Sequence, residues 1–316
     1  ILVRSWFFRI FTLLAVVFLG FFNFAMMLME DNFGLWFAKS VSSNIPYLNL
    51  LLLNTGQAVV AVFLSSEFLK RDKKLDTSEV FYVRPLSNAE YVVGKIWGNL
   101  RVFLFLNLLV LAIVLAFNFM ASGVTVDLPA YLVYFFLISI PTLIFIIGLS
   151  IFLMLLLKNQ ALTFILLLGY IGLTLFYIQD KFYYLFDYMV YNLPLFKSTI
   201  VGFSNLELIL NHRAIYFFAG LGFIFFTIFL FKRLPNARRS HYPWLFLSFC
   251  MFLLMVTAGF RHVRSILWEG EMRALYTSIN NKYVYEPKMA IDYYDISVEQ
   301  KSETIRSVVG MEGTAL

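Results

Sequence analysis

The chain has 316 residues, 61% hydrophobic and 14% charged, with a formal net charge of +6. Soluble domains carry about 25% charged residues, so this composition, with 37 phenylalanines and a mean hydropathy of +0.79, excludes an ordinary soluble core and points to a polytopic helical membrane protein. The excess of Lys and Arg does not call for nucleic acid: no basic stripe interleaved with aromatics lies outside the apolar runs, and membrane proteins collect basic residues on cytoplasmic loops.

Arg4 and Arg9 lead into a charge-free run over 10–29, about twenty residues and so long enough to cross ~30 Å of hydrocarbon. Glu30 and Asp31 close it, and a short polar connection follows, with Gly34 and Pro46. The second run, 47–64, carries Asn54, Thr55, Gly56 and Gln57 near its middle. Polar side chains at mid-depth face other helices or a cavity. Asn54 and Gln57 are therefore read either as interhelical hydrogen-bonding groups or as the lining of a translocation path.

The densely charged stretch 65–98 comes next. A charge at the bilayer centre costs roughly 2.5–3.5 kcal/mol even on the gentlest scale, so this stretch belongs in water. Asp76 with Glu79 is a capping pattern for a short helix over 77–83. Pro85 ends that helix, because the residue before a proline avoids the helical region. Ser87 with Glu90 is a capping box that starts a new helix from Asn88. The stretch reads as a solvated loop or as a docking element for a cytoplasmic partner.

The third run, 102–119, is approached through Lys95 and Arg101, placed to snorkel to the interface. Asn107 is its polar residue and joins Asn54 and Gln57 as a candidate for the path or for helix contact. A short turn over 121–129 leads to the fourth run, 131–157, where Pro141 predicts a kink. Lys158-Asn159-Gln160 is a tight polar turn, and the fifth run, 161–178, holds Gly169 and Gly172 as points of close helix approach.

Residues 179–211 are long, rich in Tyr and Phe and only intermittently apolar, broken by Asn192-Leu193-Pro194. They read as two short helices at the outer interface, where Tyr is favoured, or as a plain extracytoplasmic loop. The sixth run, 214–231, contains Gly220 and Gly222 inside a helix, without the lysine of a nucleotide loop. A second basic loop, 232–239, precedes the seventh run, 244–260. From Arg261 the chain turns hydrophilic, with a helix expected over 269–278 and a strand over 291–299. This reads as the start of a β-containing domain, and the start without Met and the stop at Leu316 predict a longer polypeptide.

Cys250, the single cysteine, lies in an apolar run and excludes a disulfide framework or a cysteine metal site within the chain. His212, His241 and His262 lie near span ends, far apart in sequence and without helical spacing, so no metal site is expected. Seven spans put the two ends on opposite sides. Arg4, Arg9, the loop 70–95, Lys158 and the loop 232–239 share one side, which the distribution of basic residues makes cytoplasmic. The N-terminus is then inside and the tail after Phe260 outside.

Glu67 at a membrane exit, a short helix entered through Leu75-Asp76-Thr77, and Arg84-Pro85-Leu86-Ser87 followed by Glu90-Tyr91 and Gly94-Lys95 resemble the membrane subunits of ABC-2-type transporters. Many members carry a glycine before the short helix, where this chain has Lys74-Leu75-Asp76. In that family the segment between the second and third spans holds the coupling helix that touches the ATPase. A re-entrant element precedes the last core span.

The resemblance implies an all-α polytopic membrane protein with a six-helix ABC-2-type transmembrane core over 1–240. That core includes the cytoplasmic coupling segment 65–98 and a re-entrant extracytoplasmic hairpin over 179–211. A seventh span over 241–260 and the start of an extracytoplasmic β-containing domain over 261–316 follow. It further implies a permease subunit of an ATP-driven exporter in a bacterial cytoplasmic membrane, with Glu67, Asp76, Thr77, Glu79, Val80, Val83, Arg84 and Pro85 coupling it to the ATPase.

No G-x-x-x-x-G-K-[ST] occurs in the chain, so ATP and Mg belong to a separate ATPase partner. The chain itself is expected to hold no catalytic residue, cofactor or metal. Its expected partners are that ATPase, a second permease half, identical or not, and the lipid bilayer. The alternative is a non-transporting scaffold or anchor presenting an extracytoplasmic domain. Some family members are fused to modules similar to zinc aminopeptidases, but the zinc-binding His-Glu motif is absent here. An intramembrane enzyme would need paired ionisable groups at mid-membrane, which the apolar runs almost wholly lack.

Overall fold

The structure is a computed structural model and describes residues 5–28, 41–74, 87–120, 125–195, 197–198, 202–203, 205–231, 242–284, 286, 289–301 and 304–315. The chain is mostly helical, with one two-stranded sheet near its C-terminus. Among the described residues seven helices are long and apolar enough to cross a bilayer: α1 (Trp6–Leu28), α2 (Asn44–Lys74), α3 (Asn88–Met120), α4 (Leu128–Leu157), α5 (Gln160–Ile178), α6 (Leu206–Leu230) and α7 (Tyr242–Tyr283). Each corresponds to one of the seven apolar runs, and together they make this a multi-pass membrane protein. The described residues divide into two compact units, Ile1–Val263 and Arg264–Leu316.

Local chemistry sets the helix ends. At the start of α3 the capping box forms: Ser87 N donates to Glu90 Oε2 at 2.7 Å and Glu90 N donates to Ser87 Oγ at 3.1 Å. Asp127 caps α4 by accepting from Ala130 N at 3.2 Å, with Pro129 in the first turn, where its missing N–H leaves no bond unmade. Lys158 ends α4 in the left-handed region, φ 54°, and Asn159 caps α5 by accepting from Ala161 N and Leu162 N.

The expected kink at Pro141 takes a specific form. α4 changes to π-helical winding over Phe135–Ser139, just ahead of the proline. Proline donates no hydrogen bond, so the carbonyl four residues earlier, that of Leu137, loses its usual partner.

The expected close approach at Gly169 and Gly172 is not found: both face open space. The tight crossing lies between α4 and α6 instead. A Cβ added at Gly148 would fall 2.6 Å from the Gly220 carbonyl oxygen, and one at Gly220 would fall 2.7 Å from the backbone of Ile144 and Phe145. Two glycines thus let these helices touch backbone to backbone, the usual device where lipid removes the hydrophobic drive for helix pairing. On the far side of α6, Gly222 lies under the Phe252 ring of α7, and Ser248 Oγ donates to the Gly222 carbonyl at 2.9 Å.

The described residues of 179–205 do not form the expected pair of short helices. Their described part is a single tight turn at Phe182–Tyr184, further turns and bends, and an isolated bridge between Ser198 and Gly202. Tyr188, Met189, Val190, Leu193 and Leu195 are fully buried among the helices. α6 also begins at Leu206, eight residues before the apolar run that predicted it.

In the second unit the helix expected over 269–278 is the end of one continuous element, α7, which runs without a break through the hydrophilic boundary at Arg261. The expected strand is β1 (Met289–Lys301), paired antiparallel with β2 (Thr304–Ala315). The register sets Tyr294 opposite Met311 and Ile296 opposite Val309, and Val298 shares their face. Asp295, Glu299 and Arg306 alternate onto the other face. Both faces of the hairpin are exposed.

Candidate functional site

The three polar residues read as path candidates meet in one place. Gln57 Nε2 donates to Asn54 Oδ1 at 2.6 Å, and Asn107 Nδ2 donates to Gln57 Oε1 at 2.8 Å. Ser139 Oγ, from the π-helical turn of α4, donates to Asn107 Oδ1 at 2.8 Å. Asn54 Nδ2 and Asn107 Nδ2 also return to their own helices, at the carbonyls of Leu50 and Phe103. All four side chains are fully buried. In this conformation the cluster joins α2, α3 and α4 through mutual hydrogen bonds. A second amide pair, Asn23 with Asn49, joins α1 to α2 at 2.7 and 3.1 Å.

A second polar centre was not apparent in the sequence. Arg213, fully buried in α6, donates through Nε to the Leu137 carbonyl at 2.7 Å, the acceptor that Pro141 leaves unpaired. Its other nitrogens reach Tyr188 O at 2.9 Å, Thr142 Oγ1 at 2.9 Å and Ile138 O at 3.4 Å. The guanidinium stacks over Tyr216, 5.6 Å from the ring centre. One cation therefore binds the broken turn of α4 to the irregular segment after α5.

Seven carbonyls of that segment accept hydrogen bonds from side chains outside it. His262 Nε2 lies 2.9 Å from Tyr183 O, and His212 Nε2 lies 3.0 Å from Tyr184 O. Tyr216 donates to Leu185 O, Thr142 to Tyr188 O, Tyr47 to Val190 O, Tyr134 to Leu195 O and Ser43 to Lys197 O. Lys197 Nζ pairs with the Asp127 carboxylate at 2.6 Å, tying the end of the segment to the cap of α4. Tyr191 hydrogen-bonds Thr55 of α2.

The turn these contacts hold is costly. Phe182, Tyr183 and Tyr184 have φ of 51°, 59° and 62°, and the left-handed region costs a residue with a side chain roughly 1–2 kcal/mol. Such conformations persist where the surroundings over-determine them, and two imidazoles and a phenol do so here.

Asp187 closes the next turn, accepting from Asn192 N at 2.8 Å and Tyr191 N at 2.9 Å. Burial pushes its carboxyl above the ordinary carboxylate range, against the pull of those N–H groups and of the Arg213 charge.

His212 and His262, far apart in sequence, have ring centres 5.0 Å apart. They serve the turn, and among the described residues no group of three or more potential ligands gathers around a metal. An apolar run that starts at Ala214 leaves His212 and Arg213 outside the membrane core, whereas α6 includes both. The apolar residues Leu206, Leu208, Ile209 and Leu210 were the available signal that the helix begins earlier.

Of the residues expected to touch an ATPase, Glu67 lies on the part of α2 beyond its apolar span, Asn44–Ser65. Asp76, Thr77, Glu79, Val80, Val83, Arg84 and Pro85 lie outside the described residues. Comparison with protein-family models, with curated proteins and with solved structures gives no match to the chain.

Proposed function

We propose that the chain is a permease subunit of an ATP-driven transporter of the ABC-2 type, working with a separate cytoplasmic ATPase and a second permease half and moving its substrate outward. The N-terminus and the stretch 65–98 face the cytosol, and the tail faces outside. ATP and Mg are handled by the partner.

One observation supports this reading above the others. The two helices that bracket the charged stretch, α2 and α3, are bonded to each other at mid-span by Asn54, Gln57 and Asn107, and to the broken turn of α4 by Ser139. A displacement applied between α2 and α3 is thereby delivered to the polar centre of the helices, as a two-state element driven by nucleotide requires. In this scheme the segment 179–205 enters the bilayer from outside. Irregular backbone at that depth must be buried in protein with its polar groups bonded, and the side chains that donate to the carbonyls of Tyr183, Tyr184, Leu185, Tyr188, Val190, Leu195 and Lys197 support this reading.

Charge reversal at Glu79 and Arg84 tests the coupling role. An ATPase that co-purifies with the native protein is expected to be lost from the double variant, while the spans stay folded. Unchanged co-purification removes the docking role. The second reading, a membrane anchor for an outer module, is favoured by the exposed apolar face of the β1–β2 hairpin. It predicts that no ATPase co-purifies with the native protein either.

A further inference from the structure

A groove of about 520 Å³ runs between α1 and α3, within the range of about 300–1,000 Å³ typical of small-molecule sites. Its walls are apolar, with Phe8 from α1 and Val102, Phe105 and Leu109 from α3. Two polar groups interrupt them. Thr12 carries a buried hydroxyl with no hydrogen-bond partner. Arg101 is exposed, and no described acidic side chain pairs with it. Phe8 meets the Phe103 ring edge-on at 5.7 Å, so Arg101, two residues before Phe103, lies near the level at which α1 begins at Trp6. Arg101 immediately precedes the apolar run of α3, as Arg9 precedes that of α1. The groove therefore has a cationic end at the water–hydrocarbon boundary and an apolar body along the hydrocarbon.

We propose that this groove is a binding site for an anionic phospholipid, with one acyl chain along Phe8, Phe105 and Leu109 and the phosphate on Arg101. A guanidinium binds phosphate through two parallel hydrogen bonds, and basic residues at the interface select anionic lipids. The Thr12 hydroxyl can donate to an ester oxygen of the same lipid. The site goes beyond the transporter reading and rests only on the chain being a membrane protein.

The test is lipid retention by the purified full chain, measured by native mass spectrometry during titration with phosphatidylglycerol or with phosphatidylcholine of the same acyl chains. The native protein is expected to retain phosphatidylglycerol about fivefold better. Arg101→Gln is expected to erase that preference while keeping binding, and Arg101→Lys to keep part of it. Leu109→Trp, which fills the groove, is expected to reduce retention of both lipids. Val102→Phe fills it from the other end and replaces Leu109→Trp if that variant is not monodisperse. Equal retention of the two lipids by the native protein overturns the proposal, as does an unchanged preference in Arg101→Gln. If the filling variants leave lipid retention unchanged but alter the oligomeric state, the groove is covered by a second copy and the proposal fails.

Discussion

In the cluster of Asn54, Gln57, Asn107 and Ser139, side chains from three helices bond to one another. Around Arg213 the pattern is inverted: one side chain bonds backbone carbonyls, that of Leu137, which Pro141 leaves without its helical donor, and those of Ile138 and Tyr188. The first arrangement joins helices to one another through their side chains. The second makes an incomplete helix and an irregular segment tolerable away from water, where each unmet polar group costs several kcal/mol. The two regions share α4: Ser139 belongs to the first and Leu137 and Thr142 to the second. Replacing the side chains of the first centre removes joints between helices. Replacing Arg213 removes what completes the helix and the segment themselves.

The largest effect should therefore come from Arg213. Arg213→Leu leaves three carbonyls and the Thr142 hydroxyl short of a donor, and unmet buried groups cost about 1–3 kcal/mol each. A loss of about 3 kcal/mol or more is expected, read as a fall in the unfolding midpoint in detergent and as proteolysis within 179–205. Arg213→Lys, which cannot span all four acceptors, should recover only part. A midpoint unchanged in Arg213→Leu would show that the segment holds its place without the clasp.

Next in size is Gly220→Ala, on the same helix as Arg213 but in a dry contact. Its Cβ meets the backbone of Ile144 and Phe145 at 2.7 Å, and overpacking costs about 1–3 kcal/mol. If the α4–α6 contact is set by the glycines, this variant loosens the helices without exposing 179–205. Cleavage of the segment in Gly220→Ala would mean that clasp and crossing act as one unit. Asn107→Leu should be milder, about 1–2 kcal/mol, the range found for hydrogen bonds between membrane helices. It removes the joints of α3 to α2 and to α4 and leaves Asn54 bonded to Ser139, so α2 and α4 stay joined.

The sequence was most legible where a local rule operates alone. Seven apolar runs gave seven helices, Ser87 and Glu90 formed their box, and the strand over 291–299 lies inside β1. The amides drew attention singly as polar residues in apolar runs, and their meeting was not visible because register between helices is a tertiary property. Arg213 was hidden for a different reason. A basic residue at the edge of an apolar run reads as interfacial, and only the orphaned carbonyl before Pro141 gives it a buried partner. Gly169 and Gly172 misled because spacing shows where a helix has room for a neighbour, while Gly148 and Gly220 show where the neighbour is.

The smallest expected effect, and the finest probe of the second centre, is Asp187→Asn. The segment could be held by its charges or by neutral hydrogen bonds, and this variant separates the two. Asp187 has a carboxyl raised above its ordinary range, chiefly by burial, so folding favours its protonated form. A group raised in this way stabilises fully below the ordinary carboxylate value, and that contribution is lost as pH climbs through the raised one. The native protein should therefore lose some stability between acid and neutral pH that Asp187→Asn does not lose, and the gap between them should narrow as pH rises. The amide oxygen can still accept from Tyr191 N or Asn192 N, so the variant should cost less than about 1 kcal/mol at neutral pH. Unfolding midpoints of both proteins across that window measure the slope. A gap that widens toward neutral pH would mean that attraction to Arg213 outweighs burial at Asp187, and the segment would then be held by charge.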